Sequence, residues 1–163
     1  MTTRRRVLWG ALGAAAAIAG GAGGWYWIAR GSSSDYAARA AALRAPLEPE
    51  TAGDRLWSEI VRYATLAANS HNTQPWCFDW VDGELRIAPD FARRTQAVDP
   101  DDHHLYASLG CALENVLQAG LAAGVYMAPR FADGAVLVAL GPGKPAIDWL
   151  FEAIPHRQST RSV

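Results

Sequence analysis

Two Asp-Gly pairs, Asp82-Gly83 and Asp133-Gly134, constrain the fold of this chain more than any other feature. Each sits between short runs of apolar and β-prone residues. Asp-Gly supplies two consecutive residues able to take positive φ, which a two-residue hairpin turn needs. The first pair predicts a hairpin of Trp76–Val81 with Leu85–Ala88. The second predicts one of Met127–Phe131 with Ala135–Leu140. Between them lies the longest helical pattern of the chain, His104 to Ala123. Leu105, Leu109, Ala112, Leu113, Val116, Leu117, Gly120 and Leu121 recur there at helical spacing, and Gly124 is placed to close the helix. Hairpins and helices in this mixture predict an α+β layered domain.

Three further helices follow from the pattern. Ala37–Ala45 reads as a weakly amphipathic helix stopped by Pro46. A second, with Asp54 as N-cap, carries Leu56, Ile60, Val61, Ala64 and Ala68 on one face and ends near Ala68. A third spans Ile147–Ile154 and is closed by Pro155. Gly31-Ser32-Ser33-Ser34 reads as a flexible linker. Residues 89–102 read as loop, with Arg93 and Arg94 on its surface, and His103-His104 as an exposed helix start rather than a metal site.

The chain of 163 residues carries a formal net charge of -1, so a nucleic-acid partner has no electrostatic support. Cys77 and Cys111 have no ligand spacing and are expected to be buried. Charge is absent from residues 7–29, which are mostly Ala and Gly, while Arg4, Arg5 and Arg6 precede them. A basic start followed by an apolar run is a targeting signature to be set aside before fold reasoning. The run is long enough to span a bilayer, and Trp25, Tyr26 and Trp27 sit where an interfacial anchor would. Two readings stay open: a twin-arginine-type signal, with Ala17-Ile18-Ala19 as a small-residue cleavage site, or a plain transmembrane anchor. Either predicts a protein exported across, or anchored in, a cytoplasmic membrane, with export machinery as a partner. The expected divisions are 1–30 as signal or anchor, 31–50 as linker and short helix, and 51–163 as the folded part.

Two stretches carry the chemistry. In "AANSHNTQPWCF", Asn69, Ser70, His71, Asn72, Thr73 and Gln74 set short donors and acceptors ahead of Pro75, which stiffens the backbone, and Trp76. Such a loop suits the polar rim of a flat heterocycle. It reads equally as a helix end with Asx-type caps and a buried tryptophan. His71 is expected to make a loop hydrogen bond. In "HRQSTRSV", Arg157, Ser159, Thr160 and Arg161 form either an oxyanion clamp or a solvated basic tail.

Together the two stretches resemble the nitroreductase-like flavoproteins. "AANSHNTQPWCF" is similar to that family's Asn-x-Gln-Pro-Trp loop, "RQSTR" to its FMN-phosphate segment, and "GCALENVLQAGLAAG" to its long dimer-core helix. Ala68-Asn69 stand where the family has Pro-Ser. The loop also precedes the Arg/Ser segment, an order that resembles the dormancy-associated, duplicated subgroup. The resemblance implies a nitroreductase-like layered sheet and helices, present in part, behind an N-terminal hydrophobic helix. It implies FMN, with Ser70 and Asn72 at the ring or ribityl chain, Gln74, Pro75 and Trp76 shaping the wall, and Arg157, Ser159 and Arg161 on the phosphate. It further implies a nicotinamide donor and a small aromatic or quinone-like acceptor, or else a flavin-holding protein without turnover. In the family the flavin lies at a two-fold interface. The expectation is therefore a homodimer or an internal pseudo-dimer whose second repeat would follow Val163, with the chain a truncated part of it. No catalytic acid or base is singled out, and no metal.

Overall fold

The computed structural model describes residues 32–48 and 52–158. The expected signal or anchor, and Ser159 and Arg161, lie outside the described residues. Among the described residues no helix is long and apolar enough to cross a membrane. The chain forms two compact units, Met1–Ala41 and Ala42–Val163.

Helix α1 (Ser33–Leu43), of which residues 33–41 belong to the first unit, begins where the sequence suggested a flexible linker. The reason is a reciprocal cap: the Ser32 hydroxyl accepts from the Asp35 N–H at 3.0 Å, and the Asp35 carboxylate accepts from the Ser32 N–H at 3.2 Å. Two first-turn donors are thereby satisfied before the helix has propagated. No residue of α1 is buried.

The second unit is an α+β layer structure, as the sequence predicts. Helix α2 (Gly53–Ala64) is followed by hairpin β1 (Trp76–Val81) and β2 (Glu84–Pro89), then by helix α3 (His103–Ala122). Hairpin β3 (Val125–Ala132) and β4 (Ala135–Pro142) comes next, and the short α4 (Trp149–Ala153) last. Both Asp-Gly pairs have positive φ at both residues, 52° and 81° in the first and 51° and 73° in the second. This is the twist that matches two antiparallel strands. The strands form one antiparallel sheet in the order β1-β2-β4-β3, in which β2 and β4 join the hairpins by setting Leu85 opposite Val138 and Ile87 opposite Val136.

Period-two alternation sends Trp76, Leu85, Ile87, Val136 and Val138 to the face covered by α3, whose Leu105, Leu109, Ala112, Val116 and Ala119 are buried against it. Gly120 lets α3 come close, since a Cβ there would lie 2.2 Å from Met127 Cε on β3. Leu121, expected on the buried face, is 41% exposed. On the β-strands outside this core face, Arg86 pairs with Asp79 and Arg130 with Glu84.

Several local expectations change. Helix α2 starts two residues early, with Ala52 rather than Asp54 as N-cap. It ends at Ala64, because Thr65 turns its hydroxyl back onto the Arg62 carbonyl at 2.7 Å, while Leu66 and Ala67 donate to Tyr63 and Ala64 in a tightened last turn. Both cysteines are exposed, not buried. Cys77 alternates with the inward Trp76, and Cys111 precedes the buried Ala112 on the other side of α3. Arg94 is no idle surface residue, for its guanidinium grips the Asp102 carboxylate with two hydrogen bonds, 3.0 and 2.6 Å, closing the loop onto the start of α3.

Candidate functional site

The segment from Asn69 to Trp76 leaves α2 and enters β1 through a strained bend. His71, Asn72 and Gln74 adopt φ of 51°, 57° and 50°. Each is a left-handed conformation that costs a non-glycine residue about 1 kcal/mol or more. Side chains of all three are exposed, while Pro75 and Trp76 are buried beneath them. The bend thus presents an imidazole and two carboxamides to solvent from a backbone that would relax if nothing held it. His71 makes no hydrogen bond to any described residue, contrary to the sequence expectation.

What holds the bend is a set of local bonds. The Asn69 carboxamide accepts from the Gln74 N–H at 2.9 Å and donates to the Ala67 carbonyl at 3.2 Å, tying the two ends together. The Ser70 N–H donates to the Ser108 hydroxyl on α3 at 3.3 Å, and that hydroxyl donates to the His104 carbonyl at 2.6 Å. The Thr73 N–H and hydroxyl both donate to the Ser70 carbonyl, each at 3.0 Å. Across Pro75 the Trp76 N–H reaches the Gln74 carbonyl at 2.9 Å, the geometry of an inverse γ-turn. Arg93 donates to the Thr73 carbonyl at 3.3 Å. Trp76 packs inward beside Phe78, with ring centroids 6.4 Å apart, so it supports the bend from below.

Arg157, just before the end of the described residues, reaches the same place. Arg157 donates from Nε to the Leu66 carbonyl at 2.9 Å and from Nη2 to the Ala67 carbonyl at 3.5 Å. Ala67 thus accepts from Asn69 and from Arg157 together, and this one carbonyl links the bend to the C-terminal segment. Arg44 in turn holds that segment, donating from Nη1 to the carbonyls of Pro155 and Arg157 at 2.6 and 2.9 Å. Of the expected site residues, Ser70, Asn72, Gln74, Pro75, Trp76 and Arg157 therefore gather around a single turn, and Ser159 and Arg161 lie outside the described residues.

Asn69 was read as part of the polar loop but given no contact to a cofactor, and Ser108 and Arg93 were not anticipated as parts of the site. Ser108 carried a signal, as a hydroxyl lying between Leu105 and Leu109 on an apolar helix face. At the start of α3 the buried Asp99 accepts from the N–H groups of His104 and Leu105 and from the His104 ring, each at 3.0 Å. Burial works to raise the Asp99 carboxyl, but these donors outweigh it and hold the group below the usual carboxylate range. His103 and His104 are exposed, as expected, and no cluster among the described residues has the makings of a metal site.

A hollow of about 1210 Å³ opens elsewhere, among Leu47, Leu56, Tyr63, Ile147, Phe151 and Pro155, and no residue of the 69–76 bend lines it. The bend and the hollow are therefore different features. The strained, polar one is the candidate for chemistry. No protein-family model matches this chain, and no curated protein does.

Proposed function

We propose that this chain is an FMN-dependent oxidoreductase of the nitroreductase type, moving electrons from a nicotinamide donor to a small aromatic or quinone-like acceptor. One observation supports the reading above the others: three left-handed non-glycine residues hold polar side chains outward over a buried Pro-Trp, with Arg157 tied to the entry of the same bend. Strain of this kind persists where the surrounding structure maintains it, and it clusters at ligand-binding sites.

FMN can be tested against these residues. Its ring is flat, with a rim of acceptors and one donor, and exposed carboxamides at Asn72 and Gln74 offer both kinds of group. Ser70, Asn72 and Gln74 would hold the rim, with Pro75 and Trp76 stiffening the bend beneath them. Arg157 would set the C-terminal segment next to it, and Ser159 and Arg161 would meet the phosphate. When bound, FMN supplies the electron chemistry, so no side chain here need serve as nucleophile. The rest of the reading follows the same line: a second copy or second repeat completes the site, and residues 1–30 direct the protein to or across a membrane.

The test is to titrate the full chain into FMN and follow flavin fluorescence, then to add NADPH without oxygen and follow the flavin colour. Saturable quenching and bleaching are expected. Quenching without bleaching by NADPH or NADH would favour a flavin holder without turnover, and no quenching even at high protein concentration would refute both. Arg161→Ala should weaken FMN by about 1.5–3 kcal/mol, the range for hydrogen bonds to charged groups.

A further inference from the structure

The hollow of about 1210 Å³ has walls that are fixed and a floor that is apolar. Arg62 fixes one wall. Its Nη1 donates to the carbonyls of Leu43 and Ala45 at 2.7 and 2.9 Å, and its Nε and Nη2 pair with Glu59 at 2.9 and 2.5 Å. Arg44, on the segment so pinned, fastens it to the turn at Pro155 and Arg157. Tyr63 and Phe151 floor the hollow as a stacked pair, with centroids 5.0 Å apart and planes 13° apart.

The lining does not favour an anionic ligand. Glu48 and Glu152 lie on it with Arg44, which leaves no excess of positive charge for an anionic head. His156 and Gln158 add side-chain N–H groups able to donate to a carbonyl oxygen. Ile147 lines the hollow and is 63% exposed, and the next apolar side chains along the chain, Trp149 and Leu150, are exposed as well. The volume of about 1210 Å³ lies above the usual range for compact ligands, about 300–1,000 Å³. A long apolar molecule fits these features better than a small polar one.

The sequence says where such a molecule would come from. The uncharged run 7–29 ends at Ala29, fifteen residues before Arg44 on the wall of the hollow. Even fully extended, that distance is at most about 50 Å of chain. With the run in a bilayer, the hollow stays within reach of molecules dissolved there.

We infer that this hollow binds an uncharged membrane lipophile, a hydrocarbon or isoprenoid chain ending in a carbonyl-bearing head. Prenylated quinones and glycerides share that chemistry. The inference rests on the proposal that residues 7–29 sit in a membrane, and does not depend on FMN. The full chain is incorporated into phosphatidylcholine nanodiscs with a diazirine-tagged decyl-benzoquinone, photolysed, and its adducts are mapped by peptide mass spectrometry. Adducts are expected in 44–63 and 145–158. Ile147→Arg, at an exposed position, should keep the melting temperature and lower labelling about tenfold or more, since it sets a charge in an apolar mouth. Val98→Arg, 58% exposed and not part of the lining, should change nothing. Competition by untagged decyl-benzoquinone but not by monoolein identifies a quinone, and the reverse a glyceride. Adducts scattered over other exposed aromatics such as Tyr126 and Phe131, or full labelling of Ile147→Arg, would overturn the inference. Flotation of the chain with vesicles reports the anchor separately. A chain that does not float loses the anchor reading, and the same labelling done in solution still decides the hollow.

Discussion

Asn69→Ala isolates the tension in the 69–76 bend. Asn69 itself is extended, with φ of -152° and ψ of 157°, so alanine fits its backbone without strain. The substitution removes two hydrogen bonds, from the Gln74 N–H and to the Ala67 carbonyl. At about 0.5–1.5 kcal/mol each, and toward the low end for exposed groups, the loss is about 1–2 kcal/mol. Opposing those bonds is the cost of three left-handed residues, about 1 kcal/mol or more apiece. With Asn69 gone the bend should open locally while Pro75 and Trp76 stay packed, so global stability should barely change. Exchange of the Gln74 amide, followed by NMR or mass spectrometry, should accelerate about 5–30-fold, the ratio that 1–2 kcal/mol represents. Asn69→Ser should fall between, because a serine hydroxyl can replace one bond and not both. An unchanged Gln74 exchange rate in Asn69→Ala would refute the account. So would a loss of global stability as large as that of a core truncation, because the bend would then be part of the core and not strained above it.

Gly120→Val should destabilise by about 1–3 kcal/mol in urea unfolding through overpacking, and Met127→Ala in the same chain should recover much of the loss, since the added Cβ meets Met127 Cε at 2.2 Å and Sδ at 2.6 Å. Asp99 is held below the carboxylate range when folded, and an unfolded aspartate titrates near about 3.9. Its stabilising effect is therefore present above that value and lost as pH falls through the lower folded one, so Asp99→Asn should flatten the acid limb of a plot of melting temperature against pH. Cys77 and Cys111 should both react with maleimide in the native state, and a thiol count below two before denaturation would contradict their exposure.

The elements that were legible in the sequence are those whose signal is local. Each Asp-Gly pair fixes a turn, and alternation fixes which face of the strand turns inward. The same alternation could have placed Cys77 outward, because Trp76 and Phe78 on either side of it face the core. The start of α1 was legible too, as Ser32-x-x-Asp35, a capping pair that a serine-rich context disguises as linker. Partners distant in sequence were not legible. Arg94 with Asp102 and Arg157 with Leu66 depend on loops whose paths composition does not set.

The site divides along the same line. Amide-rich composition before Pro75 marks a turn, but it does not say which residues take positive φ. Asn72 tolerates that region and could have been guessed. Gln74 has no such preference, and its φ of 50° follows from a backbone already fixed on both sides, by Asn69 holding its N–H and by Trp76 holding its carbonyl. Those two bonds place the Gln74 side chain, and each neighbour is next to a held residue: Ser70, after Asn69, donates its N–H to the Ser108 hydroxyl, and Pro75, before Trp76, is buried. The exposed carboxamide that the proposed flavin rim needs is thus the last link of a sequence of constraints beginning in α3. Substitutions at Ser108, which touches no proposed ligand, should therefore alter the rim as surely as substitutions on it.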